Sequence, residues 1–277
     1  MHRSPLSAVL SLRVRRRSLV AAHAVLVCIL LVITRSYAGA LRPACSTLRV
    51  APVVTAATGA AHPAEGRVPN ITRVIDFTDY PGGSMEAWLH AKGFQLAHGA
   101  EDPAALALSH HAGALVLEAK QPVRGFLVNN QFKLAEFSTI RITWGVLKYP
   151  TGASYARKIN NEALMVYLSF GEADVASGHM LIPARPYFIG LFLGQEEPLN
   201  TPYQGRYFHE GGRFVSVGNP PPSETVTSEF DLRTAFRTYF GKTDVPMISG
   251  VSLGVDTFAS GEGGTAAAYI HRIEFLE

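Results

Sequence analysis

Cysteine is nearly missing from this sequence: there are two, Cys28 and Cys45. Cys28 falls in an apolar stretch that reads as part of an export leader, so a processed chain keeps Cys45 alone. That excludes an intramolecular disulfide framework and leaves stability to a hydrophobic core. Charge is sparse as well. Charged residues are 17% of the 277 and hydrophobic ones 47%, which excludes a chain too polar to bury a core. Six of the 25 Lys and Arg precede Leu41 and no Asp or Glu does, leaving 19 basic against 22 acidic residues after it. The formal charge of +3 therefore belongs to the leader, and a basic-patch nucleic-acid binder is excluded. Long amphipathic helices alternating with strands are lacking too, which excludes a doubly wound α/β fold. Ten histidines are present, but none is spaced H-x-x-x-H on a helix or grouped with cysteines. No metal and no cofactor is expected.

The leader itself is legible. Arg13, Arg15, Arg16 and Arg17 precede the apolar run Leu19 to Ile33, and Ala38-Gly39-Ala40 supplies small residues for a signal peptidase. We read residues 1–40 as a signal peptide and the protein as periplasmic or secreted. An uncleaved signal anchor is the alternative, and the only membrane attachment expected. Residues 41–70, rich in Ala, Pro and Thr, read as a flexible linker; Asn70-Ile71-Thr72 is a glycosylation sequon.

From residue 71 the pattern is short, alternating and almost wholly β. Runs at Val74–Phe77, Phe94–Ala97, Ala105–Ser109, Ala114–Ala119, Gly125–Asn129, Thr139–Val146, Glu162–Phe170, Pro186–Leu193, Tyr203–Phe208 and Phe214–Val217 read as strands. Ile140, Ile142, Trp144 and Val146 share one face, and so do Leu164, Val166, Leu168 and Phe170. The opposite face of the latter, Ala163, Met165, Tyr167 and Ser169, is also rather apolar, as in a strand that is covered by a loop or lines a groove. Leu232, Ala235, Phe236, Tyr239 and Phe240 make one apolar stripe of a short helix, with Ser228 and Asp231 at capping-box spacing and Gly241 as its stop. Strands at Ile248–Asp256 and Tyr269–Leu276 follow. The expected fold is an all-β jelly-roll β-sandwich of about ten strands over residues 71–277, with one short amphipathic helix near the C-terminus.

Particular residues resemble a known family. Trp144-Gly145-Val146, Tyr149-Pro150 and Asn160-Asn161-Glu162-Ala163-Leu164-Met165-Val166-Tyr167 are similar to the middle of the DUF3047 family of exported bacterial proteins. Asp231, Phe240-Gly241, Pro246, Ser249-Gly250-Val251, Asp256-Thr257, Ala268-Tyr269-Ile270 and Ile273-Glu274-Phe275 resemble its tail. The resemblance implies a fold and an exported address more than an activity. By analogy with galactose-binding-like jelly rolls, the last strand is expected to pair back towards the first.

The chemistry is less legible. Gly250-Val251-Ser252-Leu253-Gly254 matches G-x-S-x-G on paper, but no helix follows to lift the serine from its strand. Gly261-Glu262-Gly263-Gly264 lacks a lysine and a following helix, so a hairpin suits it better than a phosphate loop. Aromatic residues beside the central strands carry more weight, because sugar rings stack their C–H faces on such side chains while amides and carboxylates bond the hydroxyls. The candidate ligand-binding residues are Trp144, Tyr149, Tyr155, Asn161, Glu162, Tyr187 and Asp256; core filling competes with this role for the aromatic ones. For Glu162 the alternative is a simple pair with Arg157 or Lys158. The leading function is an exported, non-catalytic binding module for a glycan or cell-envelope polymer. A carbohydrate-active hydrolase or lyase with a carboxylate pair drawn from Glu162, Glu172, Asp174, Asp231 and Asp256 is one alternative, and an envelope scaffold another.

Overall fold

A computed structural model describes residues 70–205, 207–259 and 264–277, all within the unit Ala64–Glu277. The segments read from the sequence as leader and linker, with Cys45, and most of the Gly261–Gly264 loop lie outside the described residues. The elements are β1 Ile71–Asp76, α1 Met85–Ala91, β2 Gln95–His98, β3 Leu106–His111, β4 Ala114–Ala119, β5 Arg124–Asn129, β6 Thr139–Lys148 and β7 Glu162–Val175. There follow β8 Arg185–Phe192, β9 Pro202–Tyr203, β10 Gly212–Ser216, β11 Val226–Asp231, α2 Leu232–Phe240, β12 Ile248–Asp256 and β13 Ala266–Leu276. Among the described residues no helix is long and apolar enough to cross a membrane.

The strands form two sheets. The first runs β11-β6-β13-β4-β3, with β1 also on β13; the second runs β2-β5-β12-β7-β8-β10-β9. The chain passes repeatedly from one sheet to the other, at β1 to β2, β2 to β3, β4 to β5, β5 to β6, β6 to β7, β10 to β11, β11 to β12 and β12 to β13, so this is a jelly-roll sandwich. The last strand does return to the first, Ile71 lying opposite Leu276 and Asp76 opposite Arg272. It is no edge, however. β6 runs along one side of β13, while β4 and β1 share the other.

The core lies between the sheets. Ile140, Ile142, Trp144 and Val146 of β6 face Leu164, Val166, Leu168 and Phe170 of β7, every one buried. Such rows exist because side chains alternate with period two along a strand, so only one parity of residues points inward.

Two readings of the C-terminal third need correction. Ser228 does not open a capping box. It lies in β11, where its hydroxyl accepts the Trp144 indole N–H at 3.1 Å. The helix N-cap is Asp231, whose Oδ1 accepts the Thr234 N–H at 2.8 Å, and Gly241 closes the helix in the left-handed conformation. The strand expected at Tyr203–Phe208 is only Pro202–Tyr203 long; Phe208, at φ 59, is in a conformation no strand accommodates.

The stripe of α2 lies against the sandwich. Phe236 is fully buried among Phe170, Tyr187 and Phe240, with ring centroids 4.8, 5.7 and 4.9 Å away. Phe236→Ala is expected to lower the free energy of unfolding by about 3–5 kcal/mol, measured by chemical denaturation. A loss under about 1 kcal/mol would show that the helix contributes little to the fold.

Candidate functional site

The outward faces of the two sheets have opposite chemistry. On the first, Glu229, Arg141, Glu274, Arg272 and Asp76 form a charged ladder across β11, β6, β13 and β1, with N–O separations of 2.7 to 3.8 Å. On the second, cross-strand register gathers aromatic residues. Phe126 on β5 lies opposite Gly254 on β12, Gly254 opposite Met165 on β7, and Met165 opposite Phe192 on β8. One row over, Ser252, Tyr167, Gly190, Phe214 and Tyr203 follow in succession from β12 to β9. Phe126, Tyr167, Phe214 and Tyr203 are half-buried, and the first three touch edge to face, with Phe126–Tyr167 at 5.9 Å and Tyr167–Phe214 at 6.3 Å.

Glycines let these rings lie down on the sheet. A Cβ on Gly254 would come 2.7 Å from Tyr167 Cε2 and 3.0 Å from Phe126 Cδ1, and one on Gly190 would strike Met165. With no side chain beneath them, the rings settle onto the backbone.

An acidic cluster sits at one end of this face, and a β-bulge puts it there. Gly254 pairs with Met165 but Asp256 pairs with Glu162, so two residues of β12 span three of β7. Ala163 and Leu164 consequently both point into the core, and Glu162 turns outward. Strict alternation would have sent Glu162 inward with Leu164 and Val166. Its Oε2 accepts the Tyr155 hydroxyl at 2.8 Å and its Oε1 the Tyr167 hydroxyl at 3.3 Å. Opposite it, Asp256 accepts Arg124 Nε on Oδ2 at 2.5 Å and the Phe258 N–H on Oδ1 at 3.0 Å.

The irregular segment 149–161 covers this end. Tyr155 is buried, its ring stacked on Phe192 at 4.4 Å and 22°, and its N–H donates to Glu197 Oε1 at 3.2 Å. Glu197 Oε2 also accepts the Gln195 and Glu196 N–H groups, so one buried carboxylate organises both the segment and the 195–197 loop. Tyr149 donates its hydroxyl to the Pro220 carbonyl at 2.8 Å; burial and then the charge of Glu197 push it up to about 12. Asn161 accepts the Ala259 N–H at 3.1 Å. A cavity of about 10 Å³ lies among Tyr149, Asn161, Glu162, Phe192 and Glu197, room for about one water.

Of the sequence candidates, the fold brings Tyr149, Tyr155, Asn161, Glu162 and Asp256 together. It does not include Trp144, which is fully buried between the sheets with its N–H on Ser228, nor Tyr187, which packs under α2 against Phe236 and Phe240. Neither has a face to offer a ligand at this site. Glu162 does not pair with Arg157 or Lys158, which are exposed; its partners are the two tyrosines. Arg124, Tyr167, Glu197 and the row Phe126, Phe214, Tyr203 were missed as site residues. Tyr167 was visible in the greasy second face of β7, whereas Arg124 is 132 residues from Asp256 and carries no local signal.

No family model and no curated protein matches this chain. Among solved structures it is similar to the xyloglucanase domain of NopAA, a type three effector from Sinorhizobium fredii, in complex with cellobiose. The identity is 11%, 62% of this chain and 87% of that one are covered, and the TM-score is 0.35. It is also similar to a CBM29-2 variant from the family 29 carbohydrate binding modules, at 12% identity, 74% and 87% coverage and a TM-score of 0.32. A third is CBM29_1 from Piromyces equi, at 12% identity, 66% and 79% coverage and a TM-score of 0.27. Likeness at these scores transfers no residue, role or ligand to this chain.

Burial, and next the charge of Asp256, hold the Glu162 carboxyl well above the usual range, against the lowering effect of Tyr155, Arg124 and Tyr167. Between the ordinary glutamate value of about 4.3 and the raised native one, the folded chain binds the extra proton, so stability falls as pH rises through that window. Glu162→Gln cannot ionise. Its melting temperature relative to wild type is expected to rise as pH increases from about 4, read by thermal denaturation. A difference that stays constant with pH would show that Glu162 ionises as easily folded as unfolded.

Proposed function

We propose that this protein is an exported glycan-binding module whose ligand lies across the outer face of the second sheet. The observation that carries the reading is the row of half-buried aromatic rings there, where the first sheet has a charged ladder. Leaving aromatic surface partly wet costs free energy unless something covers it. From β5 to β9 the face is crossed in five inter-strand steps, about 24 Å, which suits a chain of sugars better than a single one. Ser252 within the row, and His98 and Gln95 at its β2 end, supply hydrogen-bonding groups beside the rings. A neutral pyranose with equatorial hydroxyls has this same combination, an apolar C–H face and a polar rim. The Arg13–Arg17 cluster, the apolar run after it and Ala38-Gly39-Ala40 support the exported address.

A binding role agrees with the state of the carboxylates. A glycosidase needs one carboxyl free to give a proton and another free to attack or to activate water. Here Glu162 holds its proton, but it and Asp256 are both buried and enclosed by Tyr155, Tyr167, Arg124 and the Phe258 N–H, so neither is presented to a ligand.

Calorimetric titration with cellohexaose tests the proposal. Phe126→Ala should weaken binding about tenfold, the loss of one stacked ring plus its buried area, with little change in melting temperature. Arg141→Ala, on the charged face of the first sheet, should leave affinity unchanged. No binding by wild type, or equal affinity for wild type and Phe126→Ala, would overturn the reading.

A further inference from the structure

We propose that Tyr155 is a resident stand-in for a sugar ring, and that the segment 149–161 is a strap over one more pyranose subsite of the same face. The inference rests on the glycan-binding reading above. Within the strap Tyr155 holds the position a ligand would take. Its six-membered ring is stacked nearly parallel on Phe192 and rimmed by Tyr203 and Phe214 at 5.7 and 5.6 Å. Its one hydroxyl bonds a buried carboxyl, Glu162, that Tyr167 also touches. A face-on aromatic contact with a hydroxyl on a carboxylate is how a protein holds a sugar ring.

The floor continues the open row. Met165 and Phe192 lie in register with Phe126 and Gly254, and Phe214 and Tyr203 with Tyr167. Lifting Tyr155 would therefore extend the platform without a break. The strap has the means to move as a unit. Ser154 and Ile159 exchange both backbone hydrogen bonds, and Arg157 and Lys158 donate to the Ser154 and Tyr155 carbonyls, so its turn is held by its own bonds. Its tip, Ala156, Arg157 and Lys158, is exposed. Opening would occur about the ends of the segment, where Tyr149 stays on the Pro220 carbonyl and Asn161 on the Ala259 N–H. It would release the Tyr155 stack, which a sugar ring can replace, and the bonds to Glu162 and Glu197, which sugar hydroxyls or water can replace.

A tethered occupant lowers apparent affinity by the fraction of molecules in which the subsite is open. Removing its ring removes that competition for ligands long enough to reach the subsite and for no others. The test is titration of wild type and Tyr155→Ala with cellohexaose and with cellobiose. Tyr155→Ala should bind cellohexaose about tenfold more tightly than wild type, while its cellobiose affinity changes by less than about twofold. Binding by wild type with no gain, or a loss, in a folded Tyr155→Ala would sink the strap and leave the platform standing. No binding by either protein would sink both. Should Tyr155→Ala fail to fold, hydrogen exchange on wild type decides. The Tyr155 amide, which bonds Glu197 outside the strap, should exchange faster with cellohexaose bound than without it, while Arg157 and Ile159, bonded within the strap, keep their rates. Equal or slower exchange at Tyr155 would overturn the proposal.

Discussion

Leu164, Val166, Leu168 and Phe170 press against the β6 row between the sheets, and on the reverse of the same strand Met165 and Tyr167 stand among Phe126, Phe192 and Phe214. A strand apolar on one side needs one partner layer. A strand apolar on both sides needs two, and the second sheet has a full layer on its inner side alone. What lies outside is a partial cover made of the segment around Tyr155 and the rings of neighbouring strands. Gly190 opposite Tyr167, Gly254 opposite Met165 and the bulge before Met165 all follow from arranging that outer layer. The glycines let rings lie on the backbone, and the bulge turns an acid out of the core.

The inner layer was legible because two parities of residue had to be apolar along β6 and β7, and local spacing reports parity directly. The outer layer was half legible. Met165 and Tyr167 stood out as greasy residues on the wrong face, but which strands flank them is decided by pairings such as Ser252 with Tyr167, far apart in the chain. Glu162 shows the sharpest limit. Its parity matches Leu164, and only the extra residue against β12 reverses it. No local pattern marks a bulge whose cause lies on another strand.

β11 was misread for a related reason. Only Ser228 and Phe230 of its six residues are buried, so its apolar density is low, and Ser228-x-x-Asp231 matches a cap. Structure resolves the ambiguity through Trp144, whose buried indole N–H needs an acceptor and finds it in the Ser228 hydroxyl. Trp144 and Tyr187 are candidates in the sequence because they are aromatic and lie on or beside the central strands, and core filling is the role both have. Aromatic identity does not tell which side of a sheet a ring occupies, and both rings lie on the inner side.

The central place of β13 has a consequence for how the molecule is made. Each of its partners, β1, β4 and β6, leaves the ribosome earlier, and Ile71 waits for Leu276. Until then the first sheet lacks its central strand, its inner face is incomplete, and the edges of β1, β4 and β6 that β13 will occupy are unpaired. Contacts this distant in sequence close slowly, and exposed edges invite pairing with other chains. A nascent chain of this design should therefore depend on a holding chaperone for most of its synthesis, and should become resistant to protease in one late step rather than piece by piece.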